Sequence, residues 1–163
     1  MSETARVAIL MGSQSDWPVM KRAAEVLGEL GIASERKIIS AHRKPERLAN
    51  FIDQAQAAGI EVFIAGAGMA AHLPGVIASQ TNRPVLGVPI DSGSLEGMDA
   101  LLSIIQMPPG VPVGALGLGA AGAKNAGLLA AQILALADPE LAERLAKWRA
   151  DAADALPEDP EDE

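Results

Sequence analysis

The chain contains no cysteine, which removes disulfide frameworks, thiolate nucleophiles and cysteine-held metal sites from consideration and fits a reducing compartment. Aromatic residues are nearly absent too: two Phe, two Trp and no Tyr among 163 residues. The apolar share of 49% therefore leans on alanine and aliphatic side chains, yet beside 21% charged residues it stays in the range of a packed globular protein. The opening stretch MSETARVAILMGS lacks a basic segment followed by a long apolar one, and no apolar run reaches bilayer length. A cytoplasmic protein with no membrane partner is expected. Basic residues are in deficit, 13 Lys and Arg against 21 Asp and Glu, for a net charge of −8. Affinity for nucleic acid rests mainly on neutralising phosphates, so no nucleic-acid partner is expected either. Part of the acid excess is local: residues 157–163, PEDPEDE, read as a solvated tail behind a single domain spanning 1–156.

What the sequence does have is alternation. Five strand-sized apolar runs, at 6–12, 35–40, 61–66, 85–90 and 111–119, are separated by helical patterns. The first helix carries Val19, Ala23, Val26, Leu27 and Leu30 on one face, with Asp16 placed as its N-cap and Gly31 as its stop. The second opens on Pro45, sets Leu48, Phe51, Ile52 and Ala55 on one side and stops at Gly59. Strands without a polar face, joined through helices, predict an α/β fold: a three-layer αβα sandwich around a five-stranded parallel sheet of flavodoxin-like order, with a C-terminal helical extension. In such sheets ligands bind beyond the carboxyl ends of the strands, near the first and third. The helix at 125–137 is apolar on nearly every face, so it must lie under the final helix, meet another subunit, or both. A homo-oligomer is expected, with Leu141, Leu145 and Trp148 as contact residues.

The strand-exit loops are rich in small and polar residues: GSQSD (12–16), SAHRK (40–44), GAGMAAHLPG (66–75), DSGSLEG (91–97) and GAAGAKN (119–125). The chain's two histidines, His42 and His72, both fall in them. In the first loop Ser13, Ser15 and Asp16 stand before a helix N-terminus, where free N–H groups and the helix dipole favour an anion such as phosphate. Simple capping by Ser15 or Asp16 is the other use of that loop. Arg43, in the neighbouring loop, is suited to bidentate hydrogen bonds with the same phosphate. Imidazole is the side chain whose unperturbed pKa lies near neutrality, which equips His42 to give and take a proton, although a loop histidine also serves as a plain hydrogen-bonding group. His72 has the weaker claim, because its loop glycines also serve a tight turn. GAGMAA (66–71) and GLGAAG (117–122) match a dinucleotide-binding pattern. Pro74 and Gly75 stand where the first match should pack a helix, and no strand follows the second, so a dinucleotide is not expected.

At GSQSDW (12–17), SAHRKPERL (40–48), AGAGMAAHLPG (65–75), PVLGVP (84–89) and LLSIIQMPPGVPVG (101–114) the sequence resembles the carboxyaminoimidazole ribonucleotide mutase family of purine biosynthesis, class I PurE, over residues 6–149. The resemblance implies an octamer with sites where subunits meet, and no metal or organic cofactor. It implies a small ribonucleotide substrate whose carboxylate moves from the exocyclic nitrogen to ring carbon 4. His42 matches the general acid and base, Ser13 and Arg43 suit the phosphate, and Asp16 suits the ribose hydroxyls, with Ser15 and Ser40 as further substrate positions. Gly68, Ala70 and His72 belong to the loop whose backbone N–H groups would meet the migrating carboxylate. Many members of the family carry glycine where this chain has Met69. Two other functions compete: direct carboxylation of aminoimidazole ribonucleotide by carbon dioxide, and a non-catalytic nucleotide-binding module. Lys124 is left outside the site as a solvated side chain.

Overall fold

In the computed structural model, which describes residues 4–158, the alternation becomes a five-stranded, all-parallel sheet in the flavodoxin-like order β2-β1-β3-β4-β5. The central strands β1 (Val7–Met11), β3 (Val62–Gly68) and β4 (Val85–Ile90) are buried along almost their whole length, as expected of parallel strands covered on both faces. Successive residues of β1 divide between two cores: Val7, Ile9 and Met11 face one, Ala8 and Leu10 the other. Two strands depart from the sequence expectation. The edge strand β2 (Ser34–Ile38) has no fully buried residue, because half of an edge strand's surroundings is solvent. β5 contracts from the expected 111–119 to Gly114–Ala115, since Pro112 has no N–H for a ladder and the glycines at 114 and 117 bring no side chain to pack.

The carboxyl end of the sheet is stepped. β1 and β2 end level, Met11 beside Ile38, whereas β3 continues two residues past Gly66, the partner of Met11, and pairs with β4 up to Gly68 and Ile90. At the usual strand rise the step is about 6–7 Å.

Helices α1 (Trp17–Glu29), α5 (Gly119–Ala135) and α6 (Pro139–Asp154) cover one face, and α2 (Pro45–Ala57), α3 (Leu73–Ala78) and α4 (Met98–Ile105) the other. α5 begins at Gly119, so the expected exit loop 119–125 is in fact its first two turns. Gly119, at φ 72°, turns the chain into α5, with three residues between it and the end of β5, and Gly122 lies against the Gly117 carbonyl where a Cβ would not fit. The glycines of GLGAAG thus serve close chain approach at Gly117 and Gly122 and a left-handed turn at Gly119.

Much of the apolar surround of α5 is absorbed within the chain, although Leu128, Leu129 and Ile133 stay partly exposed and Leu136 at its end is open to solvent. Its Gly127 sits on α1 so closely that a Cβ there would lie 2.5 Å from Val26 Cγ1 and 2.9 Å from the Ala23 carbonyl oxygen. On another side α6 closes over it. Leu141 and Leu145, expected as contacts between subunits, are instead 0% and 8% exposed and belong to the same core as Ala123, Ala126, Ala130 and Leu134. Trp148 is half-buried against that core, its Nε1 donating to Glu29 Oε2 at 2.7 Å. Lys124 is likewise more than a solvated side chain, since its ammonium stands 5.2 Å from the centre of the Trp148 ring. Asp138 caps α6 by accepting from Leu141 N–H at 3.0 Å and from Arg6 Nη1 at 2.7 Å, and the two bonds hold its carboxyl below the usual carboxylate range. Of the acidic tail, residues 159–163 lie outside the described residues. Among the described residues no helix is long and apolar enough to cross a membrane.

Candidate active site

Three loops converge over the end of β1. The β1-exit loop carries Ser13 and Ser15, the β2-exit loop Ser40, His42 and Arg43, and the β3-exit loop Met69, Ala70 and His72. Because β2 and β3 flank β1 in the sheet, their loops lean toward each other across it. Two contacts fix this closure. Arg43 Nη2 donates to the Gly12 carbonyl oxygen at 3.1 Å, tying the second loop to the first. His42 Nε2 meets His72 Nδ1 at 2.7 Å, tying the second to the third, with the rings edge-on at a centroid distance of 4.8 Å.

The imidazole pair has a chemical consequence. At that distance one nitrogen donates and the other accepts, so the pair is compatible with one extra proton but not two, because two imidazolium rings would aim N–H at N–H. In either tautomer the contact with His72 occupies His42 Nε2 and leaves Nδ1 as the other ring nitrogen of His42. His42, Arg43 and His72 are all exposed, and among the described residues no carboxylate forms a salt bridge with Arg43. One of the guanidinium's five N–H groups is spent on Gly12, which leaves the others for a ligand.

In the first loop Asp16 does not cap α1 as the sequence predicts. A 3-10 turn (Gln14–Asp16) intervenes, and Asp16 turns back to accept from Ser13 N–H at 3.0 Å, while the Ser13 hydroxyl accepts from Ser15 N–H at 3.3 Å. The reason is local: Pro18 occupies the second position of α1 and lacks an N–H that a capping carboxylate would take. Asp16 is only 8% exposed. Burial pushes its carboxyl up, against the pull of the Ser13 and Gly12 N–H groups. The remaining predicted residues are placed by backbone demands. Ser40 accepts from Arg43 N–H at 3.3 Å and shapes the turn that presents His42. Gly68 ends β3 where a Cβ would collide with the Ser92 hydroxyl, and the Ala70 carbonyl accepts from His72 N–H at 2.8 Å.

A family model described as AIR carboxylase matches residues 6–155. The chain belongs to that family. Curated members of the AIR carboxylase family that it resembles include N5-carboxyaminoimidazole ribonucleotide mutases from three organisms. That of Brucella melitensis is 55% identical over 96% of this chain and 97% of that protein. That of Escherichia coli K12 is 54% identical over 96% and 93%, and that of Pyrococcus abyssi 58% identical over 90% and 83%. Among solved structures, Treponema denticola PurE aligns with a TM-score of 0.83 at 30% identity, covering 91% of each chain.

The structure of this AIR carboxylase family member also shows what sequence reasoning missed. A groove of about 520 Å³ adjoins the β1-exit loop, lined among others by Gln14, Trp17, Arg36, Lys37 and Arg47. Its signal in the sequence was two adjacent cations, Arg36 and Lys37, in a run otherwise read as a buried strand. Sequence reasoning also gave no sign that His42 and His72, thirty residues apart, touch. Among the described residues no group of three or more His, Asp or Glu is placed to hold a metal ion.

Proposed function

We propose that this chain is an N5-carboxyaminoimidazole ribonucleotide mutase, an isomerase of purine biosynthesis. The observation that carries the reading is a proton-exchanging imidazole, His42, beside a guanidinium and a hydroxyl-lined helix entrance, all over the end of β1. Ser13 and Arg43 take the substrate phosphate, with Ser15 and Ser40 shaping that cradle, and Asp16 takes the ribose hydroxyls. His42 gives a proton to the carbamate nitrogen as the nitrogen–carbon bond breaks, its electron pair returning to nitrogen and carbon dioxide leaving. Ring carbon 4 then attacks the carbon dioxide, and neutral His42 takes the proton that carbon 4 loses. The backbone of Gly68, Ala70 and His72 faces the migrating carboxylate. No net proton is consumed, and the scheme calls on no metal or organic cofactor. Recapture is efficient because a held fragment reacts as part of one molecule.

The curated relatives named above carry the mutase name, which favours this reading over direct carboxylation. The protein works in the cytoplasm as one domain, residues 1–156, and the tail at 157–163 takes no part in the reaction. It assembles as a homo-octamer. In support, the single chain leaves His42 and Arg43 exposed where retention of carbon dioxide needs cover, and α4 exposes Met98, Leu102 and Ile105 along one side.

The test is an ATP-free assay of the purified protein with the carbamate ribonucleotide. Formation of the carbon-carboxylated product supports the mutase. Turnover of aminoimidazole ribonucleotide with bicarbonate but not of the carbamate would replace it with the direct carboxylase, and binding without either reaction with a non-catalytic module.

A further inference from the structure

Three of the chain's 13 Lys and Arg residues meet in the groove beside the β1-exit loop, on a protein whose net charge is −8. The register of the sheet edge brings them there. Arg36 and Ile38 of β2 stand beside Ile9 and Met11 of β1, on the face that α1 covers. Side chains alternate along a strand, so Lys37 turns to the other face, where its ammonium lies 5.7 Å from the centre of the Phe51 ring in α2. Arg47 comes from the first turn of α2. The groove therefore wraps the open edge of β2. Met11, Trp17 and the 40% exposed Ile38 give it an apolar wall, and Gln14 contributes one amide. Among the described residues no carboxylate lines it. Lys37 is engaged by Glu35 at 2.9 Å, but neither Arg36 nor Arg47 forms a salt bridge among the described residues. Arg36 instead stands 5.7 Å from the centre of the Trp17 ring, near the outer limit of a cation-π contact.

We propose that this groove is a second ligand site, which takes a nucleoside 5′-phosphate with its base against Trp17 and Ile38 and its phosphate on Arg36 and Arg47. An apolar wall without cations would suit an uncharged aromatic, and cations without the wall would suit any anion. Together they select a ligand that is flat and aromatic at one end and anionic at the other. A guanidinium meets phosphate through two parallel hydrogen bonds, and an aromatic side chain stacks on any base. The volume of about 520 Å³ falls within the range of small-molecule sites, about 300–1,000 Å³. The groove is separate from the active-site cradle, since neither Ser13 nor Arg43 lines it, although Gln14 and Trp17 follow Ser13 closely in the chain. Such a site stands or falls independently of the mutase reading.

The chain has two tryptophans, Trp17 and Trp148, so Trp148→Phe leaves Trp17 as the single fluorescent reporter. This protein is titrated with adenosine 5′-monophosphate, and with adenosine and ribose 5-phosphate as the two halves of that probe. The nucleotide is expected to quench Trp17 saturably, with a Kd at least about tenfold below that of either half. Adding Arg36→Gln and Arg47→Gln together should raise that Kd about tenfold or more. Adding Arg43→Gln, which removes the active-site guanidinium, should leave it within about twofold. A second measurement needs no tryptophan replacement: equilibrium dialysis of labelled adenosine 5′-monophosphate should find one nucleotide fewer per chain in the Arg36→Gln, Arg47→Gln protein than in the unaltered protein. Equal numbers in the two proteins would overturn the site, as would a nucleotide that binds no more tightly than its halves. Quenching that disappears with Arg43→Gln and survives the double replacement would place the nucleotide in the active site and overturn the proposal as well.

Discussion

At the scale of single residues, the proposed reaction depends on a ring nitrogen of His42 that is free to exchange a proton. His42→Asn should lower turnover by at least about 10²-fold, the usual contribution of a general acid and base, while calorimetry still detects ribonucleotide binding through Ser13 and Arg43. Unchanged turnover would reject the catalytic role. On the proposed reading His72 acts through His42. His72→Phe deletes the 2.7 Å bond and should cost about 10- to 100-fold in kcat with little change in KM, the scale of a misplaced reacting group. The pH profile should shift as well, and His72→Gln, whose amide restores a hydrogen-bonding partner, should recover part of both. A merely structural role for His72 would leave the pH profile in place. His42 and Arg43 were legible in the sequence because loop position and side-chain chemistry suffice to nominate them. Their partners were not: the bonds to His72 and Gly12 exist only because β2 and β3 flank β1, and no local spacing encodes that. The capping role expected of Asp16 failed for a local reason, the proline two residues on, that the sequence did contain.

At the scale of elements, alternating strand and helix patterns were enough to place α1 and α2 to within a residue or two, since each has an apolar stripe, a proline in its first turn and a left-handed glycine after its last. Less legible were the pieces whose identity depends on neighbours. The first turns of α5 read as a loop because glycine and alanine carry no periodic apolar signal. Their role becomes visible only when α1 is seen resting on them. Two helical glycines make this testable. Gly28 in α1 has nothing within 4 Å of where a Cβ would be, so Gly28→Ala should raise stability by about 0.5–1 kcal/mol through the unfolded chain's lost freedom. Gly127→Ala gains the same propensity but drives a methyl into Val26 and Ala23, and should lower stability by about 1–3 kcal/mol, the usual cost of overpacking. Urea unfolding of the two variants side by side measures the opposite signs.

At the scale of the whole molecule, two of the three residues the sequence nominated for an assembly, Leu141 and Leu145, turn out to be buried inside the chain. The sequence placed the apolar helix under the final helix, against another subunit, or both, and the fold shows the first: α6 closes over α5 and spends Leu141 and Leu145 on the shared core. Of the large apolar residues that stay exposed, Leu95, Met98, Leu102, Ile105 and Leu118 form a group on α4 and the segments beside it, whereas Ile38, Met69, Leu136 and Leu156 stand apart from it. Periodicity reveals that a helix has an apolar face but not which neighbour covers it. If this surface joins copies of the chain, Leu102→Glu should reduce the assembly to smaller species in light scattering, with a folded circular-dichroism spectrum retained. An unchanged mass would place the contact elsewhere.

The step at the end of the sheet gives the site a sense of direction. A level floor would let a flat heterocycle with a phosphate at one end lie either way round. Here β1 and β2 stop low, under the loops with the hydroxyls and the guanidinium, while β3 and β4 rise behind the loop with the methionine. On the proposed reading, a ribonucleotide laid across that step has its phosphate on the lower side, beside Ser13 and Arg43, and its base on the higher side, beside the β3-exit loop. On that reading the unequal lengths of four strands give the site a direction that its side chains then reinforce.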